Sequence, residues 1–379
     1  MLLSITALYC LAGFSLTWIT SASADPASDL SAALAGHSSL TGFQQLVGLR
    51  ADVVNQLVSE SPSLSILAPS NDAFSSYIAT TGKQLADEPS DVLKDILSYH
   101  ILAASLTSTN FSASKGLTIP TLLSGELYNN RSAGTELVQT FGAGAGGQVV
   151  FTLPDSTGGF TIQAGGDPTG INLTALNQEW SKGYVHMVNQ VLSLPKSCTD
   201  TMEDQPVLSE LSESLEHTTV YDAIDTTPNV TCLAPDNQAL AIAGDPQKTA
   251  NKTAFSWLIL SHVLPQALYP DHLHDQMQLL SVENTDIKVT LEGNNIFFND
   301  AKVSATVLTN NGIVYVLDKV LADSSSGSSS TTAPSATSTT APSSTSTSHS
   351  IANSRVAVDG YSLLLMMAGS LLAGGLNWT

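Results

Sequence analysis

The chain contains an internal duplication, and this feature most limits the folds that are open to it. Three short segments occur twice in the same order: 66–74 matches 232–240 with five identities in nine positions, 98–102 matches 260–264, and 182–192 matches 311–321 without a gap. Solenoid repeats are much shorter and more numerous, at roughly 20–50 residues each. The sequence therefore predicts two homologous domains in tandem, at residues 28–194 and 203–322.

The first copy is longer than the second. Pro69 and Gly183 are 114 residues apart, whereas their counterparts Pro235 and Gly312 are only 77 residues apart. Most of the extra length falls between His100 and Gly183. We therefore expect an insertion in the second half of the first domain.

Apolar residues change their period within each copy. The stretches 43–58, 92–97 and 255–262 keep helical spacing, whereas 149–153, 160–164 and 287–291 alternate as strands do. Helices precede strands within each copy, and this order predicts an α+β fold rather than a wound α/β sheet. The Asn311-Gly312 pair is typical of a type I′ turn at the start of the last strand.

The repeated segments resemble the signature segments of fasciclin domains. They comprise Leu-Ala-Pro-x-Asn-x-Ala, a central His (His100 and His262), and a Gly-x-Val segment closed by Val-Leu. The resemblance covers about residues 28–194 and 203–322, and the layout resembles that of fungal-type fasciclin-like proteins with a glycosylphosphatidylinositol (GPI) anchor. It implies a helical part joined to a wedge-shaped β sandwich in each domain, and a role in cell adhesion or matrix contact.

The resemblance also implies candidate adhesion residues. The family site that matches Tyr99 and His100 has been linked to adhesion, so these two are the adhesion candidates here. The residues themselves favour another interpretation, because His100 and His262 each follow an apolar residue four positions earlier and so lie on a core-facing stripe. The second copy has Ser261 where the first has Tyr99, which restricts any Tyr-His site to the first domain.

The two ends of the chain indicate a cell-surface protein. Residues 1–24 read as a secretory signal, with an apolar run followed by small residues at the cleavage site. Of the 27 residues from Ser324 to Ser350, 20 are Ser or Thr, which predicts an O-glycosylated stalk over 323–352. The apolar tail within 354–379 is short and lacks a basic flank, so it favours a GPI signal with attachment at Asn353, or alternatively Ser350. Retention of the tail as a membrane span is the competing interpretation.

Cysteines and sequons fit the same compartment. Cys10 leaves with the signal, so Cys198 and Cys232 form the disulfide candidate of the mature chain. Five Asn-x-Ser/Thr sequons predict N-glycosylation at Asn110, Asn130, Asn172, Asn229 and Asn251.

The charge of the chain and the motifs that it lacks argue against several classes of function. With 33 acidic against 13 basic residues the net charge is −20, which argues against nucleic-acid partners. The segment 271–275 (Asp-His-Leu-His-Asp) carries metal-ligand chemistry but has no third ligand from elsewhere, so a solvated loop without metal is expected. No nucleophile–base pattern is present, and we expect no enzymatic activity and no cofactor.

The expected function is non-enzymatic adhesion at the outer face of the plasma membrane or in the cell wall. The partners would be wall or matrix polysaccharide or protein, or fasciclin domains on neighbouring cells, with the membrane reached through the lipid anchor. The alternative is a structural protein of the vacuolar or secretory lumen that aids membrane contact or fusion. In that case the chain would sit on the lumenal face of the vacuolar membrane.

Overall fold

The computed structural model describes residues 25–321. The predicted signal (1–24), the stalk (323–352), the tail (354–379) and the GPI candidates Asn353 and Ser350 lie outside the described residues. Within residues 25–321, no helix is both long enough and apolar enough to cross a bilayer.

The first domain begins with helices and ends with strands. Its helices are α1 (Pro26–Leu34), α2 (Thr41–Leu49), α3 (Ala51–Val58), α4 (Asn71–Thr81), α5 (Ser90–Tyr99), α6 (Ser108–Phe111) and α7 (Gly134–Phe141). Its strands are β1 (Leu64–Pro69), β2 (Ile101–Leu102), β3 (Leu117–Pro120), β4 (Val149–Pro154), β5 (Phe160–Gln163), β6 (Ile171–Trp180) and β7 (Gly183–Val188).

The second domain repeats this order. Its helices are α8 (Cys198–Glu203), α9 (Ser209–Leu215), α10 (Tyr221–Thr226), α11 (Asn237–Ile242), α12 (Pro246–Thr249) and α13 (Lys252–Ser261). Its strands are β8 (Val230–Pro235), β9 (Val263–Leu264), β10 (Gln278–Leu280), β11 (Asp286–Glu292), β12 (Asn295–Phe298), β13 (Ala301–Thr309) and β14 (Gly312–Leu317). Short 3₁₀ turns join several elements: Ser38–Leu40, Leu85–Asp87, Gly142–Gly146, Pro206–Leu208 and Pro270–His272.

Both domains have one topology. The seven-stranded sheets run in the orders β2-β1-β7-β6-β5-β4-β3 and β9-β8-β14-β13-β12-β11-β10. In the second and third positions of each sheet the two outer signature segments pair in parallel, with Leu64 opposite Gly183 and Val230 opposite Gly312. In the first domain a bridge between Leu102 and Thr121 brings the two edge strands together, so the sheet closes like a barrel. The predicted α+β tandem is confirmed.

The Pro-x-Asn part of the first signature segment is a strand-to-helix junction. Pro69 ends β1, and the Ser70 hydroxyl then accepts a hydrogen bond from the Ala73 N–H as the N-cap of α4. Asp236 caps α11 in the same way through the Ala239 N–H. The end of the strand and the helix cap account for the Pro and the residue that follows it. The Asn of the motif has a different role, because Asn71 Oδ1 accepts from the Gly42 N–H at 2.9 Å and Asn237 Oδ1 accepts from the Glu210 N–H at 3.0 Å.

The insertion of the first domain packs against the second domain. Leu137, Val149 and Phe151 belong to the same buried apolar cluster as Tyr269 and Leu308. Three further clusters lie within single domains, two in the first and one in the second. Because one apolar cluster is built from both domains, the two halves form one body within residues 25–321.

Candidate functional site

The three repeated motifs meet at one point in each domain. The signature His, which follows α5, is bonded to strand β1, because the Leu67 N–H donates to the His100 carbonyl oxygen at 2.8 Å. In the second domain the Leu233 N–H donates to the His262 carbonyl oxygen at the same distance. The candidate adhesion residues Tyr99 and His100 therefore lie where the repeated signature segments are bonded to one another.

His100 has a structural role at this junction. Its Nδ1 donates to the Ile96 carbonyl oxygen at 2.8 Å, and its Nε2 accepts from the Leu192 N–H at 3.0 Å. The side chain is 1% exposed. Burial lowers the pKa of His100 to about 4, while the hydrogen bond to Ile96 acts in the opposite direction. The ring is therefore neutral at pH 7 and connects the helix to the closing Val-Leu segment.

His262 makes the same two connections in the second domain. Its Nδ1 lies 2.7 Å from the Leu258 carbonyl oxygen, and its Nε2 accepts from the Leu321 N–H at 2.9 Å. The adjacent Ser261 hydroxyl lies 3.1 Å from Nδ1. An identical role in both copies indicates that the signature His serves the fold.

Tyr99 also lies inside the first domain. Its hydroxyl donates to the Val149 carbonyl oxygen at 3.0 Å and accepts from the Gly165 N–H at 2.9 Å. Burial raises the pKa of Tyr99 above its usual range. An adhesion contact through Tyr99 and His100 needs exposed side chains, and both are enclosed here because they join the insertion and the closing segment to α5.

Acidification should destabilise the first domain through His100. The unfolded His binds a proton below about pH 6.5 but the folded ring does so only near pH 4, so the unfolding free energy should fall across this window by about 3 kcal/mol. Urea unfolding at pH 7 and at pH 4.5 measures the effect. The His100→Gln variant should be less stable at pH 7 and show a shallower decline. An equal decline in both proteins would contradict the assignment.

The disulfide candidates meet in the second domain. Cys198 lies at the start of α8 and Cys232 within β8, both side chains are buried, and their Sγ atoms lie 2.6 Å apart. Burial raises the pKa of the Cys198 thiol, so a reactive thiolate is disfavoured there. We propose that the two cysteines pair in an oxidising compartment and tie the start of α8 to strand β8.

Reduction of this pair should lower stability. The closed loop of 35 residues corresponds to roughly 3–4 kcal/mol in the chain-entropy description. Alkylation followed by intact-mass measurement, with and without reductant, counts the free thiols. Thermal unfolding of the Cys198→Ala/Cys232→Ala double variant then measures the loss. Two alkylated thiols without reductant would refute the pairing.

Sequence reasoning misplaced Asp271 and missed the interdomain contacts. The sequence predicts a solvated charge at Asp271, but the Asp271 carboxylate accepts from the Thr118 N–H at 2.8 Å and from the Thr118 hydroxyl at 2.5 Å. Gln148, fully buried, donates from Nε2 to the Thr309 carbonyl oxygen at 2.9 Å. The unequal copy lengths revealed the insertion, but nothing in its residues indicated where it would dock. Within residues 25–321, no three His, Cys, Asp or Glu side chains form a group that could hold a metal ion.

Two open grooves lie on the first domain. One has a volume of about 660 Å³ and includes Leu106, Asn110 and Phe141 in its wall. The other, of about 560 Å³, runs beside Tyr77 and Leu192. Both volumes fall in the range of small-molecule sites. Tyr99 and His100 line neither groove.

The protein thus consists of two copies of one α+β domain, and the two copies share an apolar cluster. The chain belongs to the fasciclin domain family, whose model matches residues 38–195 and 206–323. Relatives in this family are adhesion-related extracellular proteins.

Individual relatives are distant. The fasciclin-like arabinogalactan protein of Arthroderma benhamiae is 20% identical over 269 residues, which cover 70% of this chain and 60% of that protein. Transforming growth factor-beta-induced protein ig-h3 of Sus scrofa is 21% identical over 277 residues, covering 68% and 34% respectively. Human periostin is 25% identical over 157 residues, covering 38% of this chain and 18% of periostin. The chain thus spans less than two thirds of each of these relatives.

A solved structure of a FAS1 domain pair from the insect cell adhesion molecule fasciclin I is also similar. The match has a TM-score of 0.34 and 18% identity, and it covers 77% of this chain and 99% of that one.

Proposed function

We propose that the protein is a non-enzymatic adhesion protein of the cell surface. Its ligands would be cell-wall or matrix polymers, or the same domains on a neighbouring cell, and its anchor would be the GPI signal at the C-terminus. The observation that carries this proposal is the tandem of two fasciclin domains, in a family of adhesion-related extracellular proteins. The signature side chains His100, Tyr99 and His262 are buried, which leaves ligand contact to the outer surface of the pair.

Trp257 is the first surface residue to test. It is the one aromatic side chain among the exposed large apolar residues of the described chain, and it is 44% exposed on α13. Tryptophan is enriched at the energetic centres of protein interfaces because it buries much area with few rotatable bonds. We infer that this helix face takes part in adhesion.

Bead clustering tests the proposal. Beads carrying residues 25–321, which contain all the apolar clusters described above, are mixed with each other and with wall fragments or cells of the source organism. Clustering or cell binding supports adhesion. If the beads remain dispersed and bind neither walls nor cells, the proposal is wrong. Point variants replace domain deletions, since deletion of either domain would expose the shared cluster.

The variants and the salt dependence separate the ligand classes. Trp257→Ala should reduce binding at least severalfold, whereas Leu49→Ala, at a 63% exposed position of the first domain, serves as the matched control. Equal binding by both variants would exclude the α13 face. Contact between two copies must overcome a net charge of −20 on each chain, so homotypic clustering should increase with salt or with divalent cations.

A further inference from the structure

Two of the five sequons face each other across the domain interface. Asn130 lies in the insertion of the first domain, and Asn229 precedes β8 of the second. The Asn130 side chain donates from Nδ2 to the Thr226 carbonyl oxygen at 3.1 Å. Its backbone N–H donates to the Asn310 carbonyl oxygen at 2.7 Å. Both partners of Asn130 belong to the second domain.

Asn229 completes the contact in the reverse direction. Its Oδ1 accepts from the Ser132 N–H at 2.8 Å and from the Ser132 hydroxyl at 3.2 Å. The backbone of Asn229 is left-handed, with φ of 57°, a conformation that Asn adopts more readily than most residues. Ser132 is the hydroxyl residue of the Asn130 sequon, so the two sequons bind each other.

The residues around both sequons are fixed as well. The buried guanidinium of Arg131 donates to the Ser132 carbonyl oxygen at 3.1 Å and to Gln148 Oε1 at 3.3 Å, and also bonds the Gly147 carbonyl. Thr231, the hydroxyl residue of the Asn229 sequon, is fully buried in β8. Neither sequon is a free surface loop in the docked pair.

The other three sequons differ in this respect. Asn110, Asn172 and Asn251 are exposed, whereas Asn130 and Asn229 are half-buried. Asn251 caps α13 through its Oδ1, which accepts from the Ala254 N–H at 2.9 Å. The partner of Asn251 lies in the helix that it caps, and its side chain is exposed, so a glycan there would not face the other domain.

We propose that Asn130 and Asn229 form an interdomain clasp and carry no glycan in the folded protein, whose N-glycans lie on Asn110, Asn172 and Asn251. The inference rests on the secretion that the proposed function requires. A glycan is bulky, and on Asn130 it would be attached to an atom 3.1 Å from a carbonyl of the other domain. A chain glycosylated at either clasp residue would have a loosened domain pair.

Glycan mapping tests the assignment of sites. The full chain is produced in a eukaryotic secretory host, and its glycans are removed by an amidase in heavy-oxygen water, which marks each formerly occupied Asn as labelled Asp. We expect label at the three exposed sequons and none at Asn130 or Asn229. Label at either clasp residue in monomeric, protease-resistant protein would overturn the proposal, and so would a secreted chain without any label. A chain retained in the cell with its signal uncleaved would instead count against the proposed function.

A matched pair of variants tests the clasp itself. Asn229→Gly and Asn229→Asp both remove the sequon and both tolerate a positive φ, but only Asp keeps an oxygen that accepts from Ser132. Limited proteolysis at the exposed Lys196, in the segment 193–197 that precedes α8, reports on docking. We expect faster cleavage in Asn229→Gly and no change in Asn229→Asp. Equal cleavage rates in the two variants would exclude the clasp.

Discussion

Replacement of Gly312 by alanine should prevent stable folding of the second domain. A Cβ atom at this position would lie 1.8 Å from the Val230 carbonyl oxygen and 2.8 Å from the Val230 carbonyl carbon, both backbone atoms of β8, which pairs in parallel with β14. Neither strand can move away without breaking the ladder, so we expect a loss of at least about 3 kcal/mol. Urea unfolding of the purified variant, or its failure to be secreted, measures the effect.

The first domain offers a second test of the same contact, and helix α2 offers a control. At Gly183 a Cβ atom would lie 2.0 Å from the Leu64 carbonyl oxygen, and the φ of +145° adds strain for any other residue. Gly48, within α2, has nothing within 4 Å of an added Cβ. Gly48→Ala should therefore raise stability by about 0.5–1 kcal/mol. If Gly183→Ala and Gly312→Ala behave like Gly48→Ala, the close-approach explanation is wrong.

Replacement of Gln148 by leucine should separate the two domains. The buried amide donates to the carbonyl oxygens of Tyr128 and Thr309, each at 2.9 Å, while its Oε1 accepts from the Val149 N–H at 2.7 Å. Leucine fills similar space but leaves these groups without their partner. Each unsatisfied buried group costs roughly 1–3 kcal/mol, so a total loss of about 4 kcal/mol is expected.

Two measurements distinguish undocking from a general loss of stability. Undocking predicts rapid proteolysis between the domains and two thermal transitions where the parent protein shows one. Gln56→Ala, at an exposed position on α3, should change the unfolding free energy by no more than about 0.5 kcal/mol. A Gln148→Leu protein with one transition and an intact linker segment would show that the remaining interdomain contacts hold the domains together without Gln148.

The sequence predicted the helices and strands from their periodicity, but it placed one turn incorrectly. The pair Asn311-Gly312 predicted a type I′ turn, yet Gly312 is the first residue of β14 and the turn lies at Asn310 and Asn311 without positive φ. The glycine is required because the Val230 carbonyl approaches it across the sheet. A dipeptide preference reports on local geometry, whereas this contact joins residues 82 positions apart.

His186 and Tyr315 occupy equivalent positions in the two copies and make an equivalent hydrogen bond that the sequence alignment does not predict. His186 Nε2 donates to the Leu106 carbonyl oxygen at 2.9 Å, and the Tyr315 hydroxyl donates to the Leu268 carbonyl oxygen at 2.8 Å. Two different residue types thus make one equivalent hydrogen bond in the two domains. The sequence alone does not indicate this bond, because its acceptor carbonyl is 80 residues away from His186 and 47 residues away from Tyr315.

The sequence by itself determined the tandem of two α+β domains, the family, and the length difference between the copies. Those features depend on short segments in which neighbouring residues determine the strand, the helix and its cap, so they can be predicted from the sequence. Only the tertiary structure decided that Tyr99 and His100 are enclosed, that the insertion docks on the second domain, and that the sequons of Asn130 and Asn229 form hydrogen bonds across the domain interface. These contacts join residues about 50 to 180 positions apart. Closing such long loops costs conformational entropy, which the rest of the fold must offset before the contacts can form.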